Sequence, residues 1–78
     1  MSIMPKLKVT REPVGYPKEE IMELEEAKYR LNYDETTILV EGRYVRGHEE
    51  LIEMINETDL KNKELIEITT VVLYYAGS

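Results

Sequence analysis

The segment from Glu64 to Ala76 constrains the fold more than any other part of this chain. Ile66, Ile68, Val72 and Tyr74 alternate onto one side of an extended backbone, and Leu65, Val71 and Leu73 alternate onto the other. A strand that is apolar on both faces belongs in the middle of a sheet, covered on two sides or nearly so. The partners for that strand must come from a chain of only 78 residues. Against a usual domain size of roughly 100–150 residues this is a single domain, and a second core will not fit. The expected domain covers residues 1–78, with 1–5 and 76–78 as flexible ends.

Other elements follow from local patterns. Leu7-Lys8-Val9-Thr10-Arg11 alternates apolar with polar, as a short strand with one face on a core does. Glu12 to Pro17 mixes turn formers with Val14 and Tyr16, which predicts a tight turn and a brief second strand that Pro13 restricts to an edge. Pro17 followed by Lys18-Glu19-Glu20 reads as a helix start, because proline suits the first helical position and acidic side chains favour the positive end of the dipole. Ile21, Leu24, Ala27 and Leu31 then recur at intervals of three and four, flanked by Met22 and Lys28. This spacing predicts an amphipathic helix of about four turns, closed by Asn32-Tyr33-Asp34 through the left-handed conformation that Asn tolerates. Thr36 to Glu41 is rich in β-branched residues, Gly42-Arg43 can turn, and Tyr44-Val45-Arg46 resumes an extended pattern, which makes a hairpin. After Gly47, residues Leu51, Ile52 and Ile55 share one face of a short second helix. Asn56 to Lys63, polar apart from Leu60, reads as a loop.

Composition excludes several functions. Sixteen acidic and ten basic residues give a net charge of −6, which opposes attraction to nucleic acid phosphates or anionic lipid. With no Cys there is no disulfide, thiolate nucleophile or cysteine-bound metal, and no requirement for an oxidising compartment. The N-terminus lacks the apolar core of a signal peptide and there is no apolar run long enough to span a bilayer, so the expected location is the cytoplasm. Two Asp and one His do not make a catalytic triad, a paired-carboxylate pocket or a zinc site. His48 beside Glu49 and Glu50 reads as the solvated first turn of a helix, and the acidic run from Glu19 to Glu26 as the wet face of one. All six aromatic residues are tyrosines, at 16, 29, 33, 44, 74 and 75, a residue type favoured where an apolar ring meets water. Tyr74 and Tyr75 adjoin the tail, so one of the pair should point outward.

The order strand, turn, strand, helix, hairpin, short helix, last strand agrees with the β-grasp (ubiquitin-like) arrangement, an α+β fold. Lys6 to Val14 resembles the opening strand and turn of the small sulfur-carrier proteins of thiamine and molybdopterin biosynthesis, the ThiS/MoaD family. Leu31 to Val45 is similar to that family's helix end, third strand and following turn, with Glu41-Gly42 where Asn-Gly is usual. Leu65 through Tyr75-Ala76-Gly77-Ser78 looks like its last strand running into a free C-terminus. The resemblance implies a carrier and not an enzyme. Its terminal carboxylate would be adenylated by a ubiquitin-activating-type enzyme and converted to a thiocarboxylate for cofactor biosynthesis, with no cofactor or metal of its own. On that reading Gly77 and Ser78 carry the chemistry, Tyr75 and Ala76 line the approach to the activating enzyme, and Leu73 and Tyr44 are docking contacts for that enzyme or a synthase subunit.

Two departures separate the chain from the family. Gly47 to Asn62 is longer and more helical than the family's loop, and the terminal Gly-Gly is Gly77-Ser78. Ser78 adds a hydroxymethyl group at the reacting residue, which is either tolerated, trimmed to leave Gly77, or the mark of a relative that has lost carriage. Two alternatives stand beside the carrier reading. One is a non-catalytic β-grasp module for protein–protein interaction. The other takes Glu12 to Tyr16 as loop and gives ferredoxin-like βαββαβ with Tyr44 to Arg46 as the third strand, a regulatory or assembly domain that could form a homodimer through its sheet.

Overall fold

The computed structural model describes residues 5–13, 15 and 17–72. Leu7 and Val9 point to one side of an extended segment, and this alternation becomes strand β1 (Lys6–Glu12). The chain turns back into β2 (Glu19–Glu23), antiparallel to β1 from Lys6 opposite Glu23 to Thr10 opposite Glu19. Helix α1 (Leu24–Arg30) follows at once. A hairpin of β3 (Thr36–Val40) and β4 (Arg43–Val45) comes next, then helix α2 (His48–Glu57), a 3-10 turn (Asp59–Asn62) and β5 (Leu65–Val72). The five strands form one sheet in the order β2-β1-β5-β3-β4. β5 runs parallel to β1 and antiparallel to β3, so the fold is α+β with a mixed sheet and two helices.

The last strand lies at the sheet's centre, as its apolar pattern requires. It is not covered on both sides, however. Ile66 and Ile68 are buried with Leu7, Val9, Ile38 and Val40 against Ala27 and Leu31 from the α1 segment and Leu51 and Ile55 of α2, a single core on one face. Leu65 on the other face is exposed. Among the described residues, no helix packs on that second face.

The expected four-turn helix after Pro17 is corrected by the structure. Glu19–Glu23 is a strand, and only the seven residues Leu24–Arg30 are helical. As a helix, residues 19–23 would leave one edge of β1 without backbone partners; as a strand they satisfy it. The period changes accordingly. Met22 is buried and Glu20 is half-buried on the core side, while Ile21, expected on the apolar face of a helix, is 60% exposed. The hairpin partner of β1 is thus Glu19–Glu23, not a strand at Val14–Tyr16, and Val14 and Tyr16 lie outside the described residues. Helix α1 begins where the Glu23 backbone N–H donates to Glu26 Oε1 at 3.0 Å, one half of a capping box.

The end of α1 also differs from expectation. The chain leaves the helix through Leu31 in an extended conformation, which drops that side chain into the core. Asn32 instead organises the following turn, its Oδ1 accepting from the N–H groups of Asp34 and Glu35. The β3–β4 turn is Glu41-Gly42, with Arg43 already in β4. Both residues have positive φ, 52° and 87°, as the tightest hairpin turns require. The expected loop from Asn56 to Lys63 contains the 3-10 turn, started by Thr58 Oγ1 accepting from the Leu60 N–H, and Leu60 packs against the core.

Candidate functional site

Two regions among the described residues are candidate surfaces for binding. The first is the bare face of the sheet. In β3, β4 and β5 the residues that alternate away from the helices include Leu39, opposite Tyr44 on one side and Thr69 on the other. Thr37 lies opposite Val71 on the same face, and Val71 also faces Glu12 of β1. Leu39 and Val71 are half-buried, and Tyr44 is 57% exposed. Ile21 and Leu65 are also exposed on this face, set apart from the Tyr44–Leu39 pair by Lys6 and Lys8 of β1 and by Glu67 of β5. A phenol ring beside aliphatic side chains on a rigid sheet is a surface suited to another protein. Tyr44 was expected as a docking contact from the sequence; Ile21, Leu39 and Leu65 were not, although the two-faced pattern of the last strand pointed to Leu65 and Val71.

The second region lies on the helix side, at the end of the core that α1 is too short to cover. Leu7, Val9 and Arg11 share one face of β1, so Arg11 stands where the apolar row ends. Its register partner on β5 is Thr70. The Arg11 guanidinium donates to the Pro17 carbonyl and to Glu20 Oε1, both at 2.9 Å. The second oxygen of Glu20 meets the Arg30 guanidinium at the end of α1. The Arg11 and Glu20 side chains are 17% and 15% exposed, whereas Arg30 is 46% exposed. One carboxylate therefore joins β1, β2 and α1. This cluster was absent from the sequence reading because Glu20 was assigned to a helix.

Other polar groups have structural partners. The Glu41 carboxylate accepts from the Glu67 backbone N–H and from Lys63 Nζ, both at 2.9 Å, which ties the hairpin turn to the start of β5. The backbone hydrogen bond from Glu67, then the bond from Lys63, hold the Glu41 pKa below its usual value. His48 is the first residue of α2, as its reading as a helix start anticipated, and Glu50 Oε1 accepts from the Arg46 N–H. His48 Nδ1 lies 3.2 Å from the Tyr33 hydroxyl. Burial lowers the His48 pKa, with a further contribution from the positive charge of Lys28, and burial raises the Tyr33 phenol to about 12. Among the described residues no group of three or more His, Asp or Glu could hold a metal ion. Among them too, no helix is long and apolar enough to cross a membrane.

Of the residues expected to form a site, Tyr44 alone can be placed. Leu73, Tyr75, Ala76, Gly77 and Ser78 lie outside the described residues, as does Tyr74. The described part of β5, Leu65–Val72, lies in the middle of the sheet. No family model, curated protein or solved structure matches the chain.

Proposed function

We propose that this chain is a β-grasp protein that docks a larger protein through the bare face of its sheet and presents the residues after β5 to that partner, with sulfur carriage on the terminal carboxylate as its chemistry. The observation that carries this reading is the position of β5. The last strand is central, runs parallel to the first, and has an uncovered neighbouring surface that includes Tyr44. The strand order β2-β1-β5-β3-β4, with two strands ahead of α1, supports a β-grasp over a ferredoxin-like arrangement. Residues 73–78 follow β5 in the sequence.

The partner is an adenylating enzyme or a synthase subunit. In the first step the carboxylate attacks ATP, forming an acyl adenylate and releasing pyrophosphate. In the second, a sulfur nucleophile displaces AMP, leaving sulfur where one carboxylate oxygen was. The carrier contributes no side-chain catalyst to either step, in keeping with a chain that has no Cys and a single His. Gly77 has no Cβ and so can enter a narrow channel. Ser78 either passes through it or is removed first.

Intact-mass measurement after incubation with ATP, a cognate adenylating enzyme and a sulfur donor tests the chemistry. A mass gain equal to sulfur replacing oxygen is expected, and an unchanged mass with authentic partners refutes carriage. Tyr44→Glu tests docking separately. It should abolish the mass gain while leaving thermal stability near that of the parent, because Tyr44 is exposed. A pure interaction module predicts instead no mass change and full partner binding after deletion of Gly77 and Ser78.

A further inference from the structure

The cleft at the uncovered end of the core has a composition that its structural role does not require. Arg11, Arg30, Asn32, Thr36 and Thr70 line a space of about 110 Å³, together with two apolar side chains. Among the described residues no carboxylate lines it, although the chain holds sixteen acidic side chains and has a net charge of −6. Glu20 neutralises one of the two guanidiniums from outside the lining. A second carboxylate, Glu35, accepts from Asn32 Nδ2 at 3.0 Å behind the lining, so the charged side chains among the lining residues are the two guanidiniums, and Arg11 reaches the cleft mainly from within the protein.

We propose that this cleft binds a phosphate group. Each guanidinium carries about five N–H donors. Arg11 directs one to Pro17 and one to Glu20, and Arg30 meets Glu20, so the contacts within the cluster use a minority of the donors. The third donor is Thr70. On the core face of β5 the sequence runs Ile66, Ile68, Thr70, and Thr70 is only 7% exposed. A hydroxyl stands where the row calls for an aliphatic side chain, and it lines the cleft. Arg11, Arg30 and Thr70 come from β1, α1 and β5. Donors converging from three elements suit a tetrahedral oxyanion better than a planar carboxylate, and arginine is well matched to phosphate. At about 30 Å³ per water, the volume holds a group of a few heavy atoms. The proposal does not rest on sulfur carriage, since every residue it is argued from lies between Arg11 and Val72.

The test is a titration of the isotope-labelled full chain with inorganic phosphate at neutral pH, with chloride adjusted to keep ionic strength constant and amide shifts followed by NMR. Saturable shifts centred on Leu31, Thr36, Thr70 and Val72 are expected. Arg30→Gln should weaken binding at least tenfold, about 1.4 kcal/mol, and Thr70→Val should weaken it several-fold. Arg30 is half-exposed, so its variant should keep the parent spectrum away from the cleft and separate lost binding from lost fold. An unsaturating drift, or equal binding by parent and Arg30→Gln, overturns the proposal and leaves the arginines as structural cross-links. Saturation by acetate and not by phosphate overturns the choice of a tetrahedral ligand.

Discussion

Replacing Glu20 with Gln should cost this small domain far more than any exposed charge does. The substitution keeps the size of the side chain and the β2 backbone, but removes the carboxylate that, among the described residues, Arg11 and Arg30 share. The amide still accepts from a charged guanidinium, so what is lost is the attraction between opposite charges, roughly 1 kcal/mol for a shielded contact. The Arg11 contact counts nearly in full, because both side chains are largely shielded from water; the Arg30 contact counts at about half, because that guanidinium is half-exposed. The amide adds a further loss, since it offers one oxygen to two guanidiniums and turns its NH₂ toward the other. The expected destabilisation is about 2–3 kcal/mol, and at roughly 4–8 °C per kcal/mol for a chain of this size the melting temperature should fall by some 10–20 °C. Thermal unfolding followed by circular dichroism in a phosphate-free buffer measures it. Glu12→Gln is the control: its pair with Lys18 is solvent-exposed on both sides and should contribute under about 0.5 kcal/mol. Should the two variants melt within about 2 °C of each other, Glu20 is not a shielded link between β1, β2 and α1, and the strand assignment of Glu19–Glu23 loses its main side-chain support.

Three further outcomes follow from groups described above. The folded-state pKa of Glu41 lies below its unfolded value, so its carboxylate stabilises the fold above the unfolded pKa and ceases to do so as pH falls through the folded one; urea midpoints of the parent and Glu41→Gln should differ near neutrality and converge in acid, and parallel curves would contradict this. The His48 pKa is lowered, first by burial and then by Lys28, so its NMR titration midpoint should lie below 6.5 and rise in Lys28→Gln. Stability linked to His48 is accordingly complete above its unfolded pKa and declines as pH drops toward the folded value. Glu26→Ala removes the acceptor for the Glu23 N–H at the start of α1 and should cost about 0.5–2 kcal/mol, whereas Glu25→Ala beside it should cost less than about 0.5; equal losses in chemical denaturation would show that the cap is not formed.

The parts of the fold legible in the sequence are those where one period is unambiguous. Leu65 to Val72 carries apolar residues on both sides and reads as an inner strand, and a glycine after the β-branched run Thr36–Val40 is hairpin chemistry, although the turn falls at Glu41-Gly42, one residue before the expected Gly42-Arg43. Glu19 to Leu31 satisfies two periods at once. Ile21, Leu24, Ala27 and Leu31 fit a helix, and glutamate is a good helix former, so local propensity favours one continuous helix. What overrides it is β1, whose outer edge needs a partner that no other described segment supplies. Five residues of helix propensity are worth a few kcal/mol at most, whereas leaving a strand edge unpaired and Met22 out of the core would forfeit backbone hydrogen bonds and apolar burial together. The two-residue spacing of Glu20 and Met22 is the trace of the strand in the sequence, but it is too short to outweigh a helical pattern twice its length.

That single ambiguity also decides how much of the chemistry can be seen. The alternation Leu7, Val9, Arg11 already places a guanidinium on the core face of β1, where an unbalanced charge is costly and a carboxylate has to be found. With residues 19–23 read as helix, Glu20 belongs to a solvated acidic face and no such partner exists. With them as a strand, Glu20 falls on the same side as Met22, reaches Arg11, and has a second oxygen left for Arg30. The cleft beside Thr70 lies between Arg11 and the end of α1, and the Glu20 strand position is what holds its two guanidiniums together. The bare sheet face depends on the same choice at its outer margin: Ile21 joins it as a strand residue and would have been core as a helical one. Local structure at five residues therefore controls both candidate surfaces, the apolar one that would meet a protein and the basic one that would hold a phosphate, and Glu20→Gln perturbs the second while leaving the first intact.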